Sequence, residues 1–573
     1  MAEENRYATA KREREEHVNA VLNSSSNKKI VVAGPGTGKT YLFERILKGK
    51  TKTLTLTFVN ALVEDLSLEF CGLSDVRTLH GFARSVLKKA KLEDIKIFPK
   101  LTEVIKEDAK ILLDEEIDFE NLFHNKTAEE KHTEFYKRRK KYYEGRYGFS
   151  DIMFAAVRLL EEKKDKIPMF DQVLVDEFQD FNKSEVALID LLAEKSPVLL
   201  VGDDDQALYE FKSASPEHIR QRYSESTSGY APFSLPYCTR CTRVIVEVIN
   251  DIITVAKNRG HLSGRISKPF LYFDEEEKDG HSDKNPQIIY RQLQASQIPL
   301  YIQIHIEKIA KEVRKKFTVL VICPTNTQCK IIVAALKKKG FVNVSVVEKE
   351  ERKEPTLLDG LKLLLKEKNC NLGWRIVAKK VLKPKDFEAL LKQTDNDSVV
   401  RFFDLIEPNK RREVSQMLQT LRAVRDGGQT EDEPGLAELL KRVDIDAYGM
   451  ARASLKDEIK SYRPGVPETS FCEPEVRKIP ITTTTIQSSK GLEADYVFIT
   501  YFDDQYFVKE GDKSKITDHN ICSFVVALTR ARRKVFLFSS DTTKRPVFLS
   551  WIDKKRIKEI KAKASTEGAQ RDG

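Results

Sequence analysis

VVAGPGTGKT, Val31 to Thr40, decides how this chain is read. An apolar β-branched run, Ile30 to Val32, reads as a short buried strand. It breaks into a loop with three glycines and ends on Lys39 and Thr40. Leu42, Phe43, Ile46 and Leu47 then recur at helical spacing, so a helix begins there. Strand, glycine loop and helix in that order form the context of a phosphate-binding loop. Gly34, Gly36 and Gly38 let backbone N–H groups turn toward an anion, and the helix N-terminus adds partial positive charge. Ala33, Gly34, Pro35, Gly36, Thr37 and Gly38 form the cradle. Lys39 reaches the β/γ-phosphates, and the Thr40 hydroxyl serves Mg²⁺.

Two further strand ends supply the acids such a loop needs. Val173, Leu174 and Val175 form a buried strand that delivers Asp176 and Glu177 at its C-terminal edge, where open parallel sheets bind ligands. One carboxylate can hold Mg²⁺ opposite Lys39, and its neighbour can activate water. PVLLVGDDDQALYEFKSA, Pro197 to Ala214, repeats the pattern and places Gln206 beside the phosphates, with Tyr209 and Phe211 just beyond.

At 573 residues the length prior is about four domains. With 32% charged and 40% hydrophobic residues the chain reads as globular rather than disordered. A net charge of +10 suits a polyanion if it is focused on one face, and suits an ordinary basic protein equally well. No apolar run of about 18 residues occurs, so no membrane partner is expected. MAEENRYATAKREREE lacks the apolar core of a signal peptide. Eight scattered cysteines argue for reduced thiols and a cytoplasmic location. Cys238 and Cys241 form a lone CxxC with no second pair at metal-ligand spacing.

The order of elements is legible elsewhere. Leu54–Phe58 alternates as a strand, and Asn60 opens a helix. Val76–Leu87 again passes from strand to helix, with His80 at the junction. Residues 88–165 are Lys/Glu-rich and helical by pattern, with Ser150 as a helix cap. They hold FYKRRKKYYEGRYGF, Phe135 to Phe149, which reads either as a single-strand-binding surface or as a helix with its aromatics packed inward. DEEEKDGHSDK, Asp274 to Lys284, reads as a charged loop. DGGQTEDEPG, Asp426 to Gly435, reads as a linker-like break.

In this order, AGPGTGKT, TFVNALVEDL (Thr57–Leu66), RTLHGF (Arg77–Phe82), DEFQD (Asp176–Asp180), VGDDDQALYEFKSA (Val201–Ala214), TIQSSKGLEADYVFI (Thr485–Ile499) and VALTRAR (Val526–Arg532) resemble the superfamily 1A helicases of the UvrD/Rep/PcrA type. The resemblance implies an α/β chain with two RecA-like P-loop NTPase domains and mainly helical insertions. It divides the chain into domain 1A (1–87 and 166–232), insertion 1B (88–165), domain 2A (233–349 and 477–550), a short insertion 2B (350–476) and a basic tail (551–573). By resemblance, Asp176 is the metal carboxylate, Glu177 the catalytic base, Gln206 the γ-phosphate sensor and Glu493 a nucleotide contact. Arg530 and Arg240 resemble the family's arginine fingers. Phe58, Asn60, His80, Tyr209 and Phe211 fall where the family contacts DNA.

The implied activity is an ATP- and Mg²⁺-dependent 3′→5′ helicase or translocase. Its partners would be single-stranded DNA and 3′-tailed duplex, in repair, recombination or replication restart. The alternative is an ATP-switched subunit serving a nuclease or another repair or defence protein without unwinding. The chain departs from the family at four places. His17 stands at the usual adenine-reading Gln, Gln487 at the usual His, and Val525 at the usual Tyr. No Asn-Tyr precedes Arg240.

Overall fold

The computed structural model describes residues 2–57, 60–91, 94–208, 213–347, 354–396, 400–426, 475–508 and 511–560. The first sheet contains β1 (Lys28–Ala33), β2 (Thr53–Thr57), β3 (Asp75–Thr78), β4 (Gln172–Val175), β5 (Val198–Gly202) and β6 (Ala231–Leu235). Its order is β3-β2-β4-β5-β1-β6, and every pair is parallel. The strands are apolar because both faces are covered. Ile30, Val32, Val173, Val175 and Leu200 pack to one side, and Val31, Ala33, Leu174, Leu199 and Val201 to the other.

A two-stranded ribbon follows, β7 (Tyr237–Cys238) with β8 (Leu271–Tyr272). The second sheet contains β9 (Ile288–Gln292), β10 (Val319–Cys323), β11 (Val344–Val347), β12 (Ile481–Thr485), β13 (Ala494–Thr500), β14 (Ala531–Ser539) and β15 (Ile557–Glu559). Its order is β11-β12-β10-β13-β14-β9-β15, again all parallel. Leu320, Ile322, Val497, Val535 and Leu537 face one core, and Val319, Val321, Phe498, Phe536 and Phe538 the other. Two parallel sheets flanked by helices suit a pair of RecA-like domains.

The remaining helices form a separate body. Leu101–Leu112, Phe119–Asn125 and Glu130–Tyr142 share one core with Leu357–Lys366, Asn371–Val381, Pro384–Asn396 and Pro408–Asp426. The aromatics of the Phe135–Phe149 cluster take the inward reading. Phe135, Tyr136, Tyr142, Tyr143 and Tyr147 are buried, while Lys137, Arg138 and Lys141 remain outside. Phe135, Tyr136, Tyr142 and Tyr143 fill this core and Tyr147 that of the first sheet, so these rings offer no stacking platform for bases; Phe149, at the end of the cluster, is exposed.

Four expectations change. Asp274–Lys284 is no loop: Glu276–Lys284 is a helix with Lys278 and Asp279 buried. The boundary at 232 falls inside β6, which pairs with β1 through Leu235. Residues 557–559 leave the expected tail to add β15 beside β9. Gly148 rather than Ser150 caps the helix Phe149–Glu162, with its N–H held by the Asp151 carboxylate. Phe58, Tyr209, Phe211, the Asp426–Gly435 break past Asp426, the rest of the insertion to 474 and the tail from 561 lie outside the described residues.

Candidate functional site

The phosphate loop joins β1 to the helix Lys39–Leu47. Gly36 and Gly38 take φ of 68° and 92°, a region that a Cβ makes costly. At Gly36 a second reason applies, because a Cβ there would lie 2.3 Å from that of Arg240. The Thr37 hydroxyl donates to the Gly34 carbonyl at 2.9 Å and closes the loop on itself. From outside, Thr239 donates to the Gly36 carbonyl through its N–H at 2.8 Å and its hydroxyl at 2.9 Å. The loop is therefore gripped by the segment that carries Arg240.

Lys39 donates to Glu177 at 2.8 Å and lies 3.4 Å from Asp176. Burial opposes its charge, but the two carboxylates outweigh it and raise its pKa. Burial opposes the Glu177 charge too, yet Lys39 and Lys490 hold its carboxyl well below the usual range. Asp176 moves the other way: burial, with Glu177 beside it, raises its pKa. Glu177 sits at φ 56°, an uncommon conformation for a residue with a side chain and one that clusters at functional positions.

Lys490, just after β12, reaches across to the first sheet. Its ammonium pairs with Asp180, lies 3.1 Å from Glu177 and donates to the Gln206 carbonyl at 3.3 Å. The Gln206 side chain spans the same junction. Its amide N–H donates to Asp203 at 2.8 Å, and its carbonyl accepts from Arg530 at 3.3 Å. Arg530 is buried and otherwise donates to neutral oxygens, at Val526, Leu492 and Thr529. Burial, with Arg240 close by, pushes its pKa down to about 10. Two guanidiniums repelling each other in a low-dielectric cleft favour an anion between them.

Arg240 lies 2.6 Å from Glu493, whose other oxygen contacts Arg532. Burial opposes the Glu493 charge, but Arg240 and Arg532 outweigh it and lower its pKa. The phosphate loop, Lys39, Thr40, Thr239, Arg240, Glu493 and Arg532 line a cavity of about 370 Å³. Thr40 is exposed. With Asp176 at the end of β4 it offers the hard oxygens that a divalent cation prefers.

Asp203, Asp204 and Asp205 form the one cluster of metal-ligating side chains among the described residues. It is already neutralised. The Lys268 ammonium lies 2.5 Å from Asp203 and 3.1 Å from Asp205 and contacts Asp204, while Arg265 and Arg220 pair with Asp205 and Asp204. A lysine thus occupies the position a cation would take. Through Asp203 it also holds the Gln206 amide.

The nucleotide and metal candidates Ala33 to Thr40, Asp176, Glu177, Gln206, Arg240, Glu493 and Arg530 are gathered around this cleft. Of the DNA candidates, Asn60 opens the helix Asn60–Glu69. His80 packs its ring 5.1 Å from Phe149, an exposed aromatic. His17 meets the Tyr237 ring edge-on at 6.1 Å. Sequence reasoning missed Thr239, Lys268, Lys490 and Arg532. Three of these lie inside stretches already singled out: Thr239 within the CxxC, Lys490 in SSKGLE and Arg532 in LTRAR. Lys268 had no local signal.

Residues 96–227 match the UvrD/REP helicase N-terminal domain. The match takes in β4 and β5 with Asp176, Glu177 and Gln206, and begins after the phosphate loop. The ATP-dependent DNA helicase srs2 of Schizosaccharomyces pombe is 33% identical over 140 residues, 23% of this chain and 16% of that protein. DNA helicase II of Escherichia coli is 38% identical over 98 residues, 17% of this chain and 13% of that protein. A probable DNA helicase II homolog of Mycoplasma genitalium is 22% identical over 459 residues, 72% of this chain and 62% of that protein. The chain spans less than two thirds of each of these relatives. None of the described helices is long and apolar enough to cross a membrane.

Proposed function

We propose that this UvrD/Rep-like chain is an ATP-driven motor on DNA, a helicase or translocase moving 3′→5′ along a single strand. One observation carries the reading. Lys39 and the phosphate loop belong to the first sheet, Glu493, Arg530 and Arg532 belong to the second, and both sets meet at one cleft. A nucleotide seated there would bridge the two halves, so its binding and loss can open and close them.

The chain's own residues have separable tasks. The loop N–H groups and Lys39 hold the β- and γ-phosphates. Thr40 and Asp176 hold Mg²⁺, which would offset phosphate charge when bound. Lys39 is paired with Glu177 in this structure. Transfer of Lys39 to the phosphates frees that carboxylate to accept a proton from the attacking water. Lys490 and Gln179 keep Glu177 oriented meanwhile. Gln206 and Arg530, joined across the cleft, meet the charge that builds on the transferring phosphoryl group. Arg240 helps to neutralise that charge once drawn from Glu493. His17, at the position of the family's adenine-reading Gln, is assigned to the base, with Tyr237 against its ring. Asn60, His80, Phe58, Tyr209 and Phe211 are assigned to the DNA strand, with Phe149 added beside His80.

Unwinding of a 3′-tailed duplex compared with a 5′-tailed one, with ATP and Mg²⁺, tests the whole reading. The expected result is unwinding of the 3′-tailed duplex alone, with ATPase stimulated by single strands. Stimulated ATPase without unwinding of either duplex would reduce the motor to a translocase. Slow ATPase indifferent to DNA would replace it by the ATP-switched subunit. A nuclease or other repair or defence partner belongs to the second of these readings, and the cytoplasmic location rests on the scattered cysteines.

A further inference from the structure

Cys238 and Cys241 have no task in the reaction above, yet they bracket two residues that do. The turn runs Cys238, Thr239, Arg240, Cys241. Thr239 grips the Gly36 carbonyl of the phosphate loop, and Arg240 holds Glu493. Thr242 then caps the helix Arg243–Asn258. Both cysteines are buried directly behind the cavity wall formed by Thr239 and Arg240.

Their surroundings differ from those of core thiols. The sulfurs of Cys238 and Cys241 lie close enough to interact. The Cys241 N–H donates to the same sulfur at 3.4 Å, and the Arg240 N–H also faces it. The Lys278 ammonium is bonded to the Cys238 carbonyl and stands beside the thiol. Burial opposes a thiolate at Cys238, but these groups outweigh it and bring its pKa down to about 6, while the neighbouring Cys238 side chain, then burial, pushes Cys241 up. A ready thiolate next to a protonated partner thiol is the division of labour of a nucleophilic and a resolving cysteine. Cys323 and Cys329 are also neighbours, but burial, with Cys329 beside it, raises Cys323, and no cation offsets it. A metal is a poor occupant for the CxxC. Among the described residues no third ligand joins the pair, and Lys278 would repel a cation.

We propose that Cys238 and Cys241 form an oxidisable dithiol, with a hydroperoxide as oxidant, whose disulfide loosens the nucleotide site. The Cys238 thiolate attacks the peroxide oxygen. The O–O bond breaks, a sulfenic acid forms, and the leaving hydroxide takes a proton to become water. The Cys241 sulfur then attacks the Cys238 sulfur, its proton leaves with the sulfenic hydroxyl as a second water, and the S–S bond closes. Two electrons pass from the thiols to the peroxide.

The geometry says what this changes. Closing the bond draws the sulfurs to about 2.05 Å and tightens a turn containing only Thr239 and Arg240. It also removes the Cys241 thiol hydrogen that points at the Thr529 carbonyl, 3.9 Å away and one residue before Arg530. One bond therefore shifts the grip on Gly36 and both finger arginines together.

The effect on binding rests on the nucleotide reading above; the disulfide itself does not. Purified full-length chain is treated with hydrogen peroxide and alkylated, and its peptides are mapped without reductant. A fluorescent ATP analogue reports binding. The expected result is a Cys238–Cys241 disulfide at peroxide doses that leave exposed Cys71 alkylatable, with affinity lowered about tenfold, the worth of one charged hydrogen bond. A thiol reductant restores it. Cys238→Ser and Cys241→Ser bind the analogue as the reduced parent does and form no disulfide with peroxide, Cys241→Ser stopping at the Cys238 sulfenic acid. The proposal is overturned if both thiols stay alkylatable while Cys71 oxidises, or if the disulfide forms and affinity is unchanged. Failure of the reduced parent to bind the analogue would instead overturn the site reading, and the peptide map would still decide the dithiol.

Discussion

Two buried ion networks in this molecule use the same residue types to opposite ends. In the helical body, Asp108 accepts from Arg139 at 3.0 Å, from Arg375 at 2.8 and 3.1 Å, and from Tyr143 at 2.5 Å. Both arginines are raised in pKa and Glu107 completes the second. Every lone pair of the carboxylate is used, and the network ties residues 101–143 to residues 371–381. In the cleft, Lys39 and Lys490 share Glu177, while Arg530 faces Arg240 and has its pKa depressed. The first network is complete without a ligand. The second balances carboxylates against cations on one side and leaves like charges converging on an open cavity on the other. Satisfaction of the charges, rather than their burial, separates a structural network from a binding one.

That contrast can be broken experimentally, starting with the largest effect. Arg530→Ala should lower ATP turnover by about 10³–10⁵, the range of an arginine finger, while nucleotide affinity changes far less. A near-normal kcat would make Arg530 a packing residue like Arg139. Glu177→Gln should lower kcat by about 10²–10⁴ and leave ATP binding intact. Single-turnover measurements check this, since a defect confined to product release would spare the first turnover.

Asp108→Ala should do the reverse. It leaves Arg139 and Arg375 buried without their carboxylate, at a cost of about 3–5 kcal/mol in stability, with turnover per folded molecule unchanged. The urea midpoint reports it, and an unmoved midpoint would remove the network from its structural role.

The smallest effect concerns His305, which packs 4.7 Å from the Phe536 ring outside both networks. Burial, then Arg291, Lys308 and Lys534, lowers its pKa to about 4. The unfolded chain takes up a proton below about pH 6.5 that the folded one refuses, so stability falls between pH 6.5 and 4. The loss should be about 2–3 kcal/mol, and His305→Gln should flatten that limb of the stability–pH curve. An unchanged curve would place the acid sensitivity in the cleft carboxylates.

Much of the site was legible because its chemistry is local. Val31–Thr40 and Gln172–Asp180 each pack strand, turn and ligand groups into about ten residues, so periodicity and glycine spacing suffice to read them. The helical body was less legible. Phe135–Phe149 left two readings open, since a basic–aromatic helix looks alike whether its rings meet bases or a partner helix. The partner, Leu357–Asp426, lies more than 200 residues on. Asp274–Lys284 looked like a loop because its acids have no apolar stripe. Its order comes from Lys278 and Asp279, which bond to Cys238, Tyr272 and Arg243.

By itself the sequence determined the phosphate loop, the acids at the strand ends, the two-sheet α/β class and the likeness to UvrD/Rep-type helicases. These follow from short-range pattern, the spacing that folds a strand into a loop and a helix. Tertiary structure alone decided that Lys490 reaches Glu177 and Asp180, that Lys268 fills the Asp203–Asp205 cluster, and that a cysteine turn grips the phosphate loop. Each joins residues 40 or more positions apart. Charge pairing at that separation depends on where the two sheets meet, which no local spacing records.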